Sequence, residues 1–391
     1  MPELKYLILT SGKFHYFDIA KVLYERNKLH KIVSGYPWLK IKKEKIPKKF
    51  VECIGRYQII NYLLRKIPYF NSNKLIDDID YINKKKIDTI GLNFYKDVDI
   101  LISSAQSGLN SGKNIKKKSK IYVCDQSSPH IIFENKILEQ EYKSLSYNKF
   151  LPTDNRILDL ALKEYEESDI ILTPSMFVKS TFNENFHSKI FVNQLGINTN
   201  DFFPINFMRN EKQSFDIIYI GAISIRKGIH YLIDAFNKIK NPQKKLHLIG
   251  SHVNNDKEFF EKKINKNNII NYGHVHNLKL NKILNFCDVL VLPSISDGYG
   301  MVVNQAAASG CPIIVTENCG SSEFVSENNC GYVVPARDSN AIFEKLSLLI
   351  DDKNLLKELS ENAKNSTKII TWENYVDKLE EFLILFKNKK N

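Results

Sequence analysis

No apolar stretch in the sequence approaches the roughly 18 residues that a membrane-spanning helix needs. The first residues lead directly into the apolar segment Tyr6–Thr10, which is shorter than the core of a secretory signal and lacks a small-residue cleavage site after it. The six cysteines form neither a CxxC pair nor a Cys/His cluster with zinc-ligand spacing. We therefore expect a cytoplasmic protein with reduced thiols, without a metal centre and without a disulfide framework.

Short apolar segments alternate with amphipathic ones along all 391 residues, a length that suits two domains. This alternation predicts an α/β protein with parallel sheets. The predicted strands are Tyr6–Thr10, Lys31–Ser34, Asp99–Ser104, Lys120–Cys124, Asp169–Thr173 and Lys189–Asn193 in the first half, and Asp216–Ile220, Lys245–Ile249, Ile269–Tyr272, Asp288–Leu292, Pro312–Thr316 and Gly331–Val334 in the second.

The polar segment Asn206–Ser214 is predicted to link two domains, at residues 1–205 and 206–370. Residues 371–391 carry a further predicted helix, from about Trp372 to Phe386, with apolar residues at spacings of three and four. This helix either packs on the second domain or returns to the first, and periodicity does not choose between the two.

The net charge of +12 is the other conspicuous feature. A basic surface attracts nucleic acids, anionic lipids or phosphorylated substrates. Abundant Lys, Asn and Ile are also typical of an AT-rich genome, so the charge has two interpretations. Because no motif combines basic and aromatic residues as nucleic-acid readers do, we expect no nucleic-acid partner.

A glycine loop follows the predicted strand that ends at Leu292. Gly298 and Gly300 allow the backbone to approach a ligand closely, and a helix predicted to start near Gly300 offers free N–H groups to a phosphate. Asp297 and Gln305 flank this helix start, where each could bind hydroxyl groups beside the phosphate.

A second strand-to-helix loop, Tyr219–Gly228, carries Arg226 and Lys227 just before its predicted helix. These two cations suit a diphosphate. One glycine loop alone is more often an ordinary turn. Two of them in one domain favour a site for a nucleoside diphosphate.

The two loops, in this order, resemble those of the family 4 glycosyltransferases. Further segments match the family pattern in the expected order, so that the resemblance covers nearly the whole chain; they are Glu164–Ser175, Gln194–Asn198, Phe202–Pro204, Gly273–Val275 and Cys287–Ser294. The resemblance implies the GT-B fold, in which two Rossmann-like doubly wound domains face each other across a cleft. It also implies transfer of a sugar from a nucleotide-sugar donor, with retention at the anomeric carbon and without a metal or other cofactor.

The resemblance assigns the donor to the second domain and a glycan or lipid-linked acceptor to the first. Lys227 and Arg226 would bind the diphosphate, Asp297 the sugar hydroxyls, Gln305 the ribose, and the 273–275 loop would lie near the base. The residues implied in donor binding are Gly12, Gly221, Arg226, Lys227, His274, Val275, Asp297, Gly298, Tyr299, Gly300, Met301 and Gln305, and those implied in catalysis are His130, Asp297 and Lys227.

His130 follows a predicted strand, and the family places a histidine there, facing the reacting carbon of the sugar. Its implied role is to orient the donor sugar or the acceptor through hydrogen bonds, with Asp125 orienting it or contacting the acceptor. The acceptor proton would pass to a departing phosphate oxygen, so no enzyme carboxylate need act as a base. His15, near Gly12, is either a site residue or a packing residue.

Two departures from the family pattern concern the donor site. Asp297 and Gln305 stand where the family has two glutamates eight residues apart, and Ala222 stands where it often has arginine. Asp297 keeps the charge, whereas Gln305 keeps only an acceptor oxygen. Arg226 is the candidate to replace the missing arginine.

Two other segments allow competing interpretations. Asp97-Val-Asp99 has the Asp-x-Asp spacing of metal-dependent glycosyltransferases, but its place before a strand favours a helix end. The segment Trp38–Phe50 mixes lysines with apolar residues. It suits either a peripheral contact with the anionic inner face of a membrane or a solvated loop.

Two alternatives to the transferase remain open at this point. One is a sugar-nucleotide epimerase or hydrolase of the same fold, which would need further carboxylates in the cleft. The other is a protein that binds a sugar nucleotide without catalysis, which the changes at Ala222 and Gln305 would allow.

Overall fold

The structure, a computed structural model, describes residues 4–64, 73–205, 213–264 and 267–390. Its strands are β1 (Tyr6–Thr10), β2 (Leu29–Ser34), β3 (Val51–Cys53), β4 (Ile100–Ser104), β5 (Ile121–Asp125), β6 (Ile170–Thr173), β7 (Ile190–Val192), β8 (Phe215–Ile220), β9 (Lys244–Ile249), β10 (Ile269–Asn271), β11 (Val289–Leu292), β12 (Ile313–Thr316) and β13 (Gly331–Val334). Every strand predicted from the sequence forms, with ends that differ by at most two residues.

The strands form two parallel sheets. The first has seven strands in the order β3-β2-β1-β4-β5-β6-β7, and the second has six in the order β10-β9-β8-β11-β12-β13. Both follow the doubly wound pattern, in which the strand order reverses beside the first strand of the sheet. Ligands of such sheets bind beyond the carboxyl ends of the strands at this reversal. In the second sheet, the reversal lies between β8 and β11, the two strands that precede the glycine loops.

Helices connect the strands and cover both faces of each sheet. They are α1 (Tyr16–Glu25), α2 (Trp38–Ile41), α3 (Arg56–Leu64), α4 (Asn73–Gly91), α5 (Leu109–Lys116), α6 (Ile131–Ser144), α7 (Asn155–Glu167), α8 (Met176–Ser180), α9 (Ile229–Lys238), α10 (Lys257–Ile264), α11 (Asn277–Phe286), α12 (Val302–Ala308), α13 (Ser322–Glu327), α14 (Ser339–Asp351), α15 (Lys353–Ser366) and α16 (Trp372–Lys390). None of the described helices combines the length and the apolar character that crossing a bilayer requires.

The buried strands explain the apolar segments seen in the sequence. All residues of β1, β4 and β11 are buried, as expected for strands with helices on both sides. The first sheet separates two apolar clusters, and the second domain has one continuous core. All six cysteines are free thiols, and only Cys53 is not fully buried.

The chain crosses between the domains near its end. Helix α16 packs against α1, and its residues Tyr375, Leu379 and Leu383 lie in an apolar cluster of the first domain. The Phe382 ring stacks on Phe191 of β7 at a centroid distance of 3.9 Å. Of the two alternatives for this helix, the structure therefore shows the return to the first domain. The predicted linker is 206–214, and all of it except residues 213 and 214 lies outside the described residues.

Candidate active site

The two glycine loops lie side by side at the carboxyl ends of β8 and β11. Gly228, at the start of α9, has a φ of +62°, and a Cβ at this position would lie 1.9 Å from the Pro293 carbonyl oxygen. The position therefore requires glycine, because any side chain would push the loops apart. The backbone N–H of Ile295 also donates to the Arg226 carbonyl at 3.0 Å.

The close approach of the loops brings Lys227 and Asp297 together. The Lys227 ammonium donates to Oδ2 of Asp297, and each side chain is 13% exposed. Burial raises the pKa of Asp297, but the neighbouring Lys227 and Arg226 lower it by more, so the net pKa lies below the ordinary value of 3.8. Asp297 is therefore a carboxylate at neutral pH, able to accept hydrogen bonds from hydroxyl groups.

Arg226 lies next to this ion pair. Its Nη1 donates to the Ser296 carbonyl at 2.8 Å, and its side chain is 37% exposed. Arg226, Lys227 and Asp297 thus form one charged group at the reversal point of the second sheet. Two cations and one anion leave a net positive charge, which suits a diphosphate.

The loop after Asp297 is tightly held by backbone contacts. The Asp297 N–H donates to the Asn318 carbonyl, and its own carbonyl accepts from the Gly320 N–H, both at 3.0 Å. Gly300 has a φ of +76°, and α12 begins at Val302 rather than at the predicted Gly300. The left-handed backbone at Gly300 explains this difference, because a helix cannot include it.

Side chains around this loop differ in exposure. Gln305 lies half-buried in α12, and Met301 is half-buried at the start of the same helix. Tyr299 is 3% exposed and belongs to an apolar cluster of the first domain, so only its backbone lies at the loop surface.

A row of glycines extends the site across the second sheet. The Gly250 N–H donates to the Gly273 carbonyl at 2.9 Å, and a Cβ at Gly250 would lie 1.8 Å from the Gly221 carbonyl oxygen. The row connects the loop of Gly221 with the loop that carries His274 and Val275. His274 is exposed and Val275 half-buried.

Loops of the first domain meet the Asp297 loop. A Cβ at Gly298 would lie 1.9 Å from the Ser127 carbonyl oxygen, and the Gly298 carbonyl accepts from Oγ of Ser175 at 3.0 Å. The residue after Asp297 must therefore be glycine for the domains to approach in this way. Ser127 belongs to the loop between β5 and α6 that ends at His130.

His130 is the N-cap of α6. Its Nδ1 accepts from the Ile132 N–H at 3.3 Å, and its ring packs against Tyr165 and Phe182 at centroid distances of 5.1 and 4.8 Å. Burial lowers the pKa of His130 below 6.5, so the ring is neutral at pH 7. Because Nδ1 is the acceptor, the hydrogen lies on Nε2, which is consistent with a hydrogen-bonding role.

His15 and Asp125 form a buried pair under this loop. Nε2 of His15 lies 2.8 Å from Oδ2 of Asp125, and Ser127 donates to the other carboxylate oxygen at 2.8 Å. The His15 ring is 2% exposed and stacks on Trp372. His15 can therefore affect a ligand only through the loop that it supports. Gly12 lies in the loop after β1, where its N–H donates to Oγ1 of Thr10 at 3.2 Å.

The Asp-x-Asp segment has a structural role. Asp97 ends a short 3-10 turn, and Oδ2 of Asp99 accepts from the Lys5 N–H at 3.0 Å. Within the described part of the chain, no group of three or more His, Cys, Asp or Glu side chains is placed to hold a metal ion.

Comparisons with known proteins find similarity to glycosyltransferases. Residues 204–366 match the family described as Glycosyl transferases group 1. An uncharacterized glycosyltransferase of Methanocaldococcus jannaschii is 27% identical over 295 residues, which are 73% of this chain and 80% of the relative. The matched segment, which is less than half of the chain, is thus similar to group 1 glycosyltransferases. The chain is also 32% identical over 181 residues to the capsular polysaccharide biosynthesis glycosyltransferase CapM of Staphylococcus aureus, and this match covers 44% of the chain and 47% of CapM.

Solved structures show the same fold. Sucrose-phosphate synthase from Thermosynechococcus elongatus has a TM-score of 0.73 at 16% identity, over 98% of this chain and 99% of that chain. Anabaena HepE in complex with UDP-glucose has a TM-score of 0.70 at 15% identity, over 98% of this chain and 100% of that chain. The fold of the chain is therefore GT-B, as the sequence predicted.

One residue at the site was not found from the sequence. Oε1 of Glu134, in the first turn of α6, accepts from Oγ of Ser296 at 3.2 Å and lies 3.8 Å from Nη1 of Arg226. Burial raises the pKa of Glu134 above its ordinary value of 4.5, although Arg226 opposes the shift. Glu134 lies 162 positions from Ser296 in the sequence, and only its place four residues after His130 could have drawn attention to it.

Proposed function

We propose that the protein is a retaining, metal-independent glycosyltransferase that moves a sugar from a nucleotide-sugar donor to a glycan or lipid-linked acceptor. The charged group of Arg226, Lys227 and Asp297, at the point where the strand order of the second sheet reverses, is the observation that carries the proposal.

Each charge of this group has a role in transfer. When the bond between sugar and diphosphate breaks, negative charge develops on the leaving phosphate. Lys227 and Arg226 stabilise this charge. Such electrostatic stabilisation is usually the largest single contribution to lowering the barrier of a reaction. Asp297 accepts hydrogen bonds from sugar hydroxyls and holds the Lys227 ammonium in place. With two side-chain cations beside the leaving group, the step needs no metal ion to supply positive charge.

The remaining roles follow from the loops around this group. His130 orients the sugar or the acceptor through Nε2, and the Gly298–Met301 backbone contacts the sugar and the phosphate. The loop with His274 and Val275 lies at the base, and Gln305 reaches the ribose. Retention is consistent with a single-site reaction in which the departing phosphate takes the acceptor proton.

Names of similar proteins support the substrate class. HepE was solved with UDP-glucose, and CapM is named for capsular polysaccharide biosynthesis. A Campylobacter jejuni relative, 26% identical over 186 residues, is named as a transferase acting on a diphospho-undecaprenol-linked sugar. We infer that the protein uses a nucleotide-activated sugar in the synthesis of a surface polysaccharide or another glycoconjugate.

Calorimetric and thermal-shift titration with a panel of sugar nucleotides tests the donor site. A ligand at about 100 times its Kd stabilises the folded protein by about 2.7 kcal/mol. We expect one donor to raise the melting temperature of the wild-type protein and Asp297→Ala to abolish the shift. Asp234→Ala, which removes a half-exposed carboxylate of the same domain, should leave the shift intact. If no sugar nucleotide or nucleoside diphosphate binds, the proposal is wrong.

Products then distinguish the reaction types. Anomeric NMR of the product from the selected donor should show retention, and chelation with EDTA should leave the rate unchanged. Conversion of the donor without any acceptor would instead indicate an epimerase or a hydrolase. Binding without turnover under every acceptor would indicate a non-catalytic protein.

A membrane contact of the first domain extends the proposal to the acceptor. The segment after β2 forms α2 and short 3-10 turns, with Leu39 of α2 76% exposed. An open groove of 720 Å³ lies beside it, with a lining that includes Lys31, Lys48, Lys49, Arg56, Trp38 and Ile59. Basic residues near an anionic bilayer contribute about 1 kcal/mol each, and exposed apolar side chains add to binding.

Vesicle sedimentation tests this contact. The protein should sediment with phosphatidylglycerol-containing vesicles at low salt and remain in solution with pure phosphatidylcholine vesicles. Leu39→Glu should weaken the binding. Leu278→Glu, at a position 68% exposed on the second domain, is the matched control and should not. Equal sedimentation of the two variants would contradict a contact through α2.

A further inference from the structure

Helix α6 follows β5 of the first sheet, but it packs against the second domain and forms hydrogen bonds with it. Its side chains Ile137 and Leu138 pack against the core of that domain. Glu141, which is 1% exposed, accepts hydrogen bonds from the Tyr231 hydroxyl at 2.8 Å and from Nε2 of His230 at 3.0 Å, both on α9. A buried carboxylate is stable only when it is paired in this way, so these contacts fix the position of α6 relative to α9.

The same helix places Glu134 against the donor-site cations. Its 3.8 Å separation from Nη1 of Arg226 is longer than the 2.8 Å hydrogen bond between Arg226 and the Ser296 carbonyl. The guanidinium is thus held firmly by one partner and loosely by the other. With 37% of its side chain exposed, Arg226 can exchange the looser partner for a phosphate oxygen.

We propose that Glu134 is a positioning residue that competes with the donor diphosphate for Arg226. This inference rests on the proposed donor site. In the free protein Glu134 contacts the guanidinium at the junction of the domains. When a diphosphate takes Arg226, the carboxylate stays beside a group of the same charge and repels it. The repulsion lowers the affinity of the site for the nucleoside diphosphate and speeds its dissociation after transfer.

Titration with UDP tests the competition. Removing one negative charge a few ångströms from the diphosphate should make Glu134→Gln bind UDP about threefold to tenfold more tightly. Glu139→Gln changes the charge of the same helix at a half-exposed position paired with Lys143, and should leave the affinity unchanged. In an Arg226→Gln background, Glu134→Gln should no longer tighten binding. An unchanged or weaker UDP affinity of Glu134→Gln would overturn the proposal.

A second measurement separates this proposal from the donor site itself. If the wild-type protein binds neither UDP nor another nucleoside diphosphate, the proposed function fails, but the contact between Glu134 and Arg226 is still testable without ligand. Melting temperatures of Glu134→Gln, Arg226→Gln and the double variant should depart from additivity by about 1–3 °C. Additive shifts would show that the two residues do not interact and would overturn the proposal.

Discussion

The buried pair of Lys227 and Asp297 allows a quantitative test of how the donor site is held together. Lys227→Met removes the positive charge and keeps the length of the side chain, whereas Asp297→Asn removes the negative charge at constant shape. Each single variant leaves the other group without its partner, and the double variant removes both. The three variants and the wild-type protein form a double-mutant cycle.

The burial of the two side chains determines how much unfolding free energy each variant should lose. Removal of one partner from a fully buried pair costs about 3–5 kcal/mol. Both side chains here are 13% exposed, and Arg226 still faces Asp297 in Lys227→Met, so we expect a smaller loss of about 2–3 kcal/mol. Asp297→Asn should cost about 1–2 kcal/mol, because the flexible lysine can turn toward water. The double variant should lose only about 1–2 kcal/mol, which corresponds to a coupling of about 2 kcal/mol.

Thermal unfolding without ligand measures these changes. For a domain of this size each kcal/mol shifts the melting temperature by about 2–4 °C. The surface pair Lys257 and Glu261, 60% and 58% exposed, is the control, and its cycle should give a coupling of about 0.3–0.5 kcal/mol. If the losses of the two single variants add up in the double variant within about 0.5 kcal/mol, the charges do not interact and our reasoning about Asp297 is refuted.

Three other perturbations have defined outcomes. Gly298→Ala would place its Cβ 1.9 Å from the Ser127 carbonyl oxygen and force the domains apart. Transfer should therefore fall about 10²-fold, and full activity would contradict the contact. Burial raises the pKa of Glu164 from 4.5 to about 8, so the folded state binds this proton more tightly, and stability should fall as the pH rises from about 5 to 8. Urea unfolding across this range should show a shallower slope for Glu164→Gln, and an equal slope would contradict the shift. Phe382→Ala removes the ring stacked on Phe191 and should cost about 2–3 kcal/mol in urea unfolding, whereas Leu385→Ala, at a position 55% exposed, should change stability by less than about 0.5 kcal/mol.

The fold follows from local sequence patterns to a large extent. Strands such as β1 and β11 are buried on both faces, so their apolar runs were visible without any alignment. Strand β3 was missed because its three residues, Val51–Cys53, include the exposed Glu52 and follow a lysine-rich segment. The segment around Trp38, treated as a loop or a membrane contact, forms a short helix that buries Ile41.

The candidate site was only partly predictable. Lys227 and Asp297 were found because each lies in a glycine loop, and the parallel sheet brings the two loops together. Glu134 has no such marker, since α6 reaches the second domain through contacts distant in sequence, such as that between Glu141 and Tyr231. The sequence alone does not decide whether His15 is a site residue or a packing residue. Its burial beneath the Asp125 loop depends on the Trp372 ring of α16, which no local pattern reveals.

The return of α16 to the first domain has a consequence for synthesis on the ribosome. Tyr375, Leu379 and Leu383 complete an apolar cluster whose other members are mainly residues translated before position 200. Domains commonly fold in order as they emerge during translation. Here the apolar cluster of the first domain cannot be completed until a helix is translated that follows the whole second domain. Until α16 arrives, the surface it will cover, including Phe191, stays open to water and to chaperones.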